Sequence, residues 1–466
     1  MKKIKVGSII GGGAILTLGS GISAVASFVR NIIIARIVSV EDFGIAMLFA
    51  LTMSAIEMAS NLAIDKIIIQ ADDGDSEDFQ STGQAFQIMR GLLGGLILFM
   101  SAEYVAGFFN VPDVIWAFNL LALYPIIKGF SHLDIARFQR EMKFLPLMWV
   151  DTIPQLITFV LAWPLAVWLG DYSVMIWLMI LQVVLYVLLT HRFAVRQFRL
   201  SWNYKIAKRM YTFGWPLLVN GVFMFAILQG DKAIVGSLIS METLGWYSAA
   251  FALTLAPAML LMKVGQSLLL PILSRSQAEM PLFKQKMELS LQICILMGFS
   301  LGYFFVLFGG DVLIILFGEK YNDGVSIIAW LGLMQAVRVV KAGPMIASLA
   351  IADTKNPMIS NLARALAFVI ALGAILSGYD IKTLVIIGLL GEVLAFIVSI
   401  SILGRNLGLS FVKHFFTVSI LLALGLLLII SPSLDIILKL PILIISIFFC
   451  IYIMPEVKDK ILKLTF

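Results

Sequence analysis

The chain is predicted to be an all-α polytopic membrane protein, and three observations predict it. Hydrophobic residues make up 61% of its 466 positions and charged residues only 13%, with a mean hydropathy of +1.00, whereas a soluble domain carries about 25% charged residues. Apolar windows of roughly 20 residues, the length that crosses a bilayer core, follow one another along the sequence with short polar corners between them. The charge that remains is sorted by side, as the count of Lys and Arg below shows.

Fourteen transmembrane helices are expected, at about 8–38, 43–66, 84–108, 113–137, 146–169, 172–192, 211–239, 244–270, 288–309, 325–350, 358–378, 382–404, 411–430 and 434–454. The first follows Lys2, Lys3 and Lys5 and contains Ala24-Val-Ala26, which resembles a signal-peptide cleavage site. Its hydrophobicity runs on to Val38 and the segment has an internal counterpart, so it is read as a span. The later helices are separated by corners such as Gly170-Asp-Tyr-Ser173, Gly318-Glu-Lys-Tyr-Asn-Asp323 and Ser377-Gly-Tyr-Asp380. The longest loops are 193–210 and 271–287.

One stretch occurs twice. Arg30 to Thr52 reads RNIIIARIVSVEDFGIAMLFALT, and Asp231 to Thr254 reads DKAIVGSLISMETLGWYSAAFALT. Ser39, Glu41 and Gly44 match Ser240, Glu242 and Gly245, and after a one-residue insertion Phe49-Ala-Leu-Thr52 repeats as Phe251-Ala-Leu-Thr254. Polar punctuation aligned together with the apolar run points to an internal duplication. The expected organisation is a six-helix lobe over 1–200, a second over 201–405, and two further helices with a tail over 406–466.

The alternate loops and both termini carry 22 of the 34 basic residues, against four on the other face, Arg36, Lys320, Lys382 and Lys439. This asymmetry places both termini in the cytoplasm, and one miscounted helix would scramble it. The acidic run Asp72 to Asp78 falls on the same side, but the rule weighs Lys and Arg. A net charge of +6 invites a nucleic-acid partner; the sorting of the charges by membrane face rejects it. Cys294 and Cys450 lie in apolar segments and support neither a disulfide framework nor a metal site.

Eight basic residues fall inside helices: Arg30, Arg90, Lys128, Lys232, Lys263, Arg338, Lys341 and Arg364. A Lys or Arg at the bilayer centre costs at least ~2.5–3.5 kcal/mol on insertion scales, so these side chains are expected to face something other than lipid. Arg90 and Arg364 sit near the basic surface, where snorkelling is an equal alternative. Arg30, Lys128, Lys232, Arg338 and Lys341 lie deeper and point to a water-filled cationic chamber between the two halves, with structural ion pairing as the alternative. Lys128 in Leu120-Leu-Ala-Leu-Tyr-Pro-Ile-Ile-Lys128 aligns with Lys341 in Leu333-Met-Gln-Ala-Val-Arg-Val-Val-Lys341, and Arg30 aligns with the Asp231-Lys232 pair. Glu57, Asp231 and Glu392 are the central acids. Each could pair a cation or carry a coupling proton or sodium ion, and pairing ranks first.

Several chemistries find no support. There is no GxxxxGK[ST] phosphate loop, so no ATP motor is expected in the chain. Gly11-Gly-Gly13 and Gly19-Ser-Gly21 sit in a membrane segment, where small residues let helices approach closely. His132, His191 and His414 are scattered without ligand spacing, and no nucleophile–base set, catalytic residue, metal site or cofactor is expected.

The corner Ala35-Arg-Ile-Val-Ser-Val-Glu-Asp-Phe-Gly44, the segment Ala63-Ile-Asp-Lys-Ile-Ile-Ile-Gln70, Gly230-Asp-Lys232 and Phe317-Gly-Glu-Lys-Tyr-Asn322 together resemble the bacterial polysaccharide and O-antigen flippases of the multidrug/oligosaccharidyl-lipid/polysaccharide exporter superfamily. The resemblance covers the whole chain, and the order and spacing of the motifs are its specific part. It implies a substrate of undecaprenyl-pyrophosphate-linked oligosaccharide, moved from the cytoplasmic to the outer leaflet of the inner membrane for surface polysaccharide synthesis, with a polysaccharide polymerase and export machinery as partners besides membrane lipids. The transport would run by alternating access, with the eight helix-borne cations around the anionic headgroup. Arg30 also looks like a headgroup arginine of the related peptidoglycan-precursor flippases, but Glu57 stands where those carry further basic residues. Two other functions compete with this one. A multidrug or cation antiporter would call for an acidic or aromatic chamber, and a membrane glycan polymerase or ligase would call for a sizeable outer loop with acid and base residues.

Overall fold

The structure is a computed structural model and describes residues 6–430 and 436–457. Lys2, Lys3, Lys5, Lys458, Lys460, Lys463 and the start of the expected fourteenth helix lie outside the described residues. Among the described residues the chain is helical and contains no strand. Twelve helices are long and apolar enough to cross a membrane, thirteen when Pro112–Gly129 and Asp134–Arg140, set at 52°, are taken as one span; Leu438–Tyr452 is a shorter apolar helix. Large apolar side chains are exposed on several of these helices, Leu96, Val160, Phe223 and Val369 among them, as lipid-facing segments require.

The chain divides into two compact units, Met1–Gly245 and Trp246–Phe466. The first contains α1 (Val6–Ile37), α2 (Val40–Ser60), α3 (Ile64–Gln70), α4 (Glu77–Phe108), α5 (Ile115–Leu121), α6 (Leu123–Gly129), α7 (Asp134–Arg140), α8 (Phe144–Leu169), α9 (Ser173–Phe193) and α10 (Tyr204–Leu238). Helix α11 (Met241–Ser274) begins at the end of this unit. The second holds α12 (Met280–Phe317), α13 (Val325–Ala350), α14 (Lys355–Leu376), α15 (Ile381–Leu407), α16 (Val412–Ile430) and α17 (Ile436–Tyr452).

The duplicated corners are built alike. Ser39 Oγ accepts a hydrogen bond from the Asp42 N–H at 3.0 Å, and Ser240 Oγ accepts one from the Thr243 N–H at 3.0 Å. Each serine thereby caps the helix that follows it. The two corners also meet. A Cβ on Gly44 would stand 1.9 Å from the Met241 carbonyl oxygen, and one on Gly245 would stand 2.1 Å from the Val40 carbonyl oxygen. Only side-chain-free residues allow backbones this close.

Two boundaries differ from the apolar-run reading. The second span stops at Ser60, because Asn61 Oδ1 accepts the Ala63 N–H at 2.8 Å while Ala63 takes a left-handed φ of 49°. The chain restarts as α3, whose last carbonyls are held by the Arg140 guanidinium, at 2.9 Å from Ile68 O and also bonded to Ala71 O. The third span starts at Glu77, seven residues before the apolar run, because Ser76 Oγ accepts the Phe79 N–H at 3.2 Å and Glu77 and Asp78 complement the helix dipole. Leu62, Ile64, Ile67, Ile68, Phe79, Phe86, Leu133 and Met210 form the apolar core under this end of the first unit.

In the second unit α12 packs along α13, and α15 packs on both α13 and α14. The Tyr303 hydroxyl donates to the Leu421 carbonyl at 2.8 Å, tying α16 to α12, and Lys439 on α17 pairs with Asp311 on α12. Gln292 Oε1 accepts the N–H groups of Glu456 and Val457 and anchors the chain after α17.

Candidate functional site

The first unit holds a cleft of about 250 Å³ lined by residues of α1, α2, α6, α8 and α9, among them Arg30, Ser54, Glu57, Tyr124, Gln155 and Gln182. Arg30 is its cationic floor. The side chain is buried, and Nη1 donates to Gln182 Oε1 at 3.0 Å and to Thr158 Oγ1 at 3.4 Å, while Nη2 donates to Ser27 Oγ at 3.4 Å. Its Nε finds no partner among the described residues. Every acceptor is neutral, so the guanidinium is oriented without being neutralised. Burial of such a charge is expensive unless an anion accompanies it. The Thr158 hydroxyl is itself positioned by donating to the Pro154 carbonyl at 2.9 Å.

Glu57 lines the same cleft and pairs with Lys128, whose ammonium also lies 5.7 Å from the centre of the Tyr124 ring. About a third of each partner is exposed, 31% for Lys128 and 39% for Glu57, so the pair is open to exchange of partners. Arg90 on α4 is half-buried and feels the carboxylates of Glu57 and Asp65. On α10, Lys232 Nζ donates to Gln229 Oε1 at 3.0 Å, and the Lys232 N–H donates to Asp231 Oδ1 at 2.9 Å. This pair does not line the cleft.

A second charged cluster lies in the second unit. Glu392 on α15 is 2% exposed and receives three cations: Arg338 Nε at 2.7 Å and Arg364 Nε at 2.9 Å on Oε1, and Lys341 Nζ at 2.9 Å on Oε2. Arg338 and Lys341 are three residues apart on α13 and share a face. Arg364 comes from α14, which approaches α15 closely because Gly391 has no side chain: a Cβ there would stand 2.4 Å from the Ala367 Cβ. The remaining helix-borne cation, Lys263, is exposed on α11 and belongs to neither cluster.

The lysines aligned by the duplication, Lys128 and Lys341, each meet a glutamate, but the glutamates do not correspond. Glu57 comes from α2, near the start of its unit, whereas Glu392 comes from α15. Gln155, Gln182 and Tyr124 line the Arg30 cleft and Thr158 accepts from Arg30; none of the four was singled out from the sequence. Their signal was available, since an amide inside an apolar span is unfavourable unless bonded or facing water.

Sequence reading also passed over Asp134, a fully buried carboxylate beyond the bend after α6. Oδ2 accepts the N–H groups of Val195 at 2.7 Å and Arg196 at 2.9 Å, and Oδ1 accepts from Gln80 Nε2 at 2.9 Å and Arg137 Nε at 3.0 Å. Arg196 reaches on to Asp75, Arg199 to Glu77 and Arg209 to Asp73. The acidic run therefore serves as a set of partners for the basic loop residues, fastening the α9–α10 connection onto α4 and α7.

A family model described as "Polysaccharide biosynthesis protein" matches residues 33–326, more than half of the chain. The teichuronic acid biosynthesis protein TuaB of Bacillus subtilis (strain 168) is 20% identical over 296 residues, 61% of this chain and 59% of that protein. The chain thus spans less than two thirds of that relative. Among solved structures, an inward-facing multidrug resistance MATE family transporter of the MOP superfamily superposes with a TM-score of 0.68 at 14% identity, covering 83% of this chain and 94% of the other. The lipid II flippase MurJ in an inward closed conformation also gives 0.68, at 13% identity, covering 93% and 97%. At these identities the likeness is one of fold.

Proposed function

The chain belongs to the polysaccharide biosynthesis protein family, and on that premise we propose that it is a flippase for a lipid-linked oligosaccharide, with undecaprenyl pyrophosphate as the carrier. One observation carries the reading: Arg30 is buried at a cleft, held by neutral acceptors and without a carboxylate among the described residues. A pyrophosphate brings the charge that Arg30 lacks, and a guanidinium grips phosphate oxygens in pairs. A cation exporter would place an acid at this position. The glycan travels with the headgroup while the prenyl tail stays in lipid, and the cleft is exposed alternately to the two sides of the membrane.

The basic face is assigned to the cytoplasm and the membrane to the bacterial inner membrane, following the Lys/Arg asymmetry. A polymerase and export machinery would take up the product. Of the three acids open to a coupling role, Glu392 already holds three cations, so a proton or sodium ion is better assigned to Glu57 or Asp231.

The test is transport of a defined undecaprenyl-pyrophosphate oligosaccharide in vesicles reconstituted with the full chain, with and without pH and sodium gradients. Glycan transferred to the opposite leaflet should become protected from a membrane-impermeant glycosidase. No protection under any gradient would sink the flippase reading.

A further inference from the structure

We propose that Arg338, Lys341 and Arg364 form a binding site for a phosphate-class anion, in which Glu392 is the resident counter-ion that the ligand's phosphate displaces. For its biological ligand, a pyrophosphate headgroup, the assignment rests on the flippase reading; for its chemistry it rests on the cluster alone.

Charge balance comes first. Three cations converge on one carboxylate within 2.7–2.9 Å, and Arg338 and Lys341 alone already exceed its single negative charge by one. A purely structural cluster in a membrane interior gains by balancing its charges, because each unmatched buried ion costs several kcal/mol. No second carboxylate meets Arg338 or Lys341 among the described residues. A phosphate or pyrophosphate carrying two or more negative charges offers these donors more charge than the single Glu392 carboxylate it displaces.

Geometry comes second. Arg338 binds Glu392 through Nε and keeps both terminal nitrogens without a partner among the described residues. Those nitrogens form the fork that reads two oxygens of a phosphate at once. The cluster is also unevenly closed: Lys341 and Glu392 keep only 4% and 2% exposure, whereas the Arg338 and Arg364 side chains keep 13% and 14%. An anion entering past the arginines meets Lys341 and Glu392 last, so the carboxylate competes with it for the same donors. Such a competitor weakens binding and speeds release, which suits a site that must let its ligand go.

The experiment is calorimetric titration of the purified full chain, in neutral detergent at fixed salt, with inorganic pyrophosphate. Arg338→Gln should weaken binding about tenfold, the loss of one charge-assisted contact, and Glu392→Gln should tighten it about tenfold by removing the competitor. Should Glu392→Gln fail to fold with its three cations unmatched, Arg338→Gln, which leaves Glu392 two partners, still decides. Equal pyrophosphate affinity in wild type and Arg338→Gln, or no binding in either, overturns the assignment. A second arm repeats the titration in nanodiscs of phosphatidylcholine alone or with phosphatidylglycerol. Weaker apparent pyrophosphate binding with phosphatidylglycerol, lost in Arg338→Gln, identifies a membrane-lipid headgroup as the source of the phosphate; no effect of that lipid leaves the free or glycan-linked anion. Vesicle transport reads the flippase proposal separately. Normal transport with no pyrophosphate binding removes this site alone, and pyrophosphate binding without any transport removes the flippase reading alone.

Discussion

Gly44 and Gly245 pack reciprocally: a Cβ on the first would fall 1.9 Å from the carbonyl oxygen of Met241, and a Cβ on the second 2.1 Å from that of Val40. Val40 and Gly44 align with Met241 and Gly245 in the repeated sequence, so the contact pairs matching positions of the two stretches.

That reciprocity makes a quantitative prediction. Gly44→Ala and Gly245→Ala should each lower stability by about 1–3 kcal/mol, because the obstacle is a backbone carbonyl that cannot rotate aside. Both substitutions open the same contact, so the double variant should cost less than the sum. Thermal unfolding in detergent, followed by thiol-dye reaction at the buried Cys294 and Cys450, measures it. Strict additivity, or single effects below ~0.5 kcal/mol, would show that the helices can separate without loss.

Arg30→Gln should reduce vesicle transport of the lipid-linked glycan about 10- to 100-fold, the weight of a charge-assisted hydrogen bond to the substrate. Its stability should change by less than ~1 kcal/mol, because the partners left behind, Gln182, Thr158 and Ser27, are neutral. Arg30→Lys keeps the charge but not the fork and should fall between. A purely structural arginine would give the reverse pattern: lower stability, with transport per folded molecule unchanged.

The span pattern, the repeated corner and the depth of Arg30, Lys128, Arg338 and Lys341 were legible because hydropathy and charge are local properties of the chain. Arg338 and Lys341 even declare a shared helix face by their spacing. Their convergence with Arg364 on Glu392 was not legible, since it depends on how closely α14 meets α15 beside Gly391. The break at Asn61 was hidden because Leu62, Ala63 and Ile64 continue the apolar run, while the features that end and restart the helix are an amide side chain and Arg140, far along the sequence. The early start of α4 is a different case: Ser76, Glu77 and Asp78 are a helix-start signal, and a search for apolar runs passes over it.

Asp134 gives a prediction about folding. Asp134→Ala strips a buried hub from Arg137, Gln80 and two backbone N–H groups and should destabilise the first unit by about 3–5 kcal/mol. Asp134→Asn, which keeps one acceptor, should lose less. Limited proteolysis within residues 194–203 reads the effect directly, because that segment is held down through Asp134. Equal cleavage rates in wild type and Asp134→Ala would mean that the Ser81–Ser201 contact and the other ion pairs suffice without it.

The pairing of Lys128 with Glu57 separates two reasons why a lysine variant could fail. Lys128→Ala should abolish transport while leaving the protein folded, since the pair is about a third exposed, 31% and 39%, and contributes little to stability. The released Glu57 then has Arg30 as a neighbour along the same cleft and Arg90 within its field, so it would neutralise the charge the substrate needs. Removing that carboxylate as well should undo part of the damage, and Lys128→Ala/Glu57→Gln should transport several-fold faster than Lys128→Ala alone. If the double variant is no better, Lys128 acts by touching the substrate itself and not by occupying Glu57. A Glu57→Gln single variant completes the cycle: it should retain transport if Glu57 only balances charge, and lose its response to an imposed pH or sodium gradient if Glu57 carries the coupling ion.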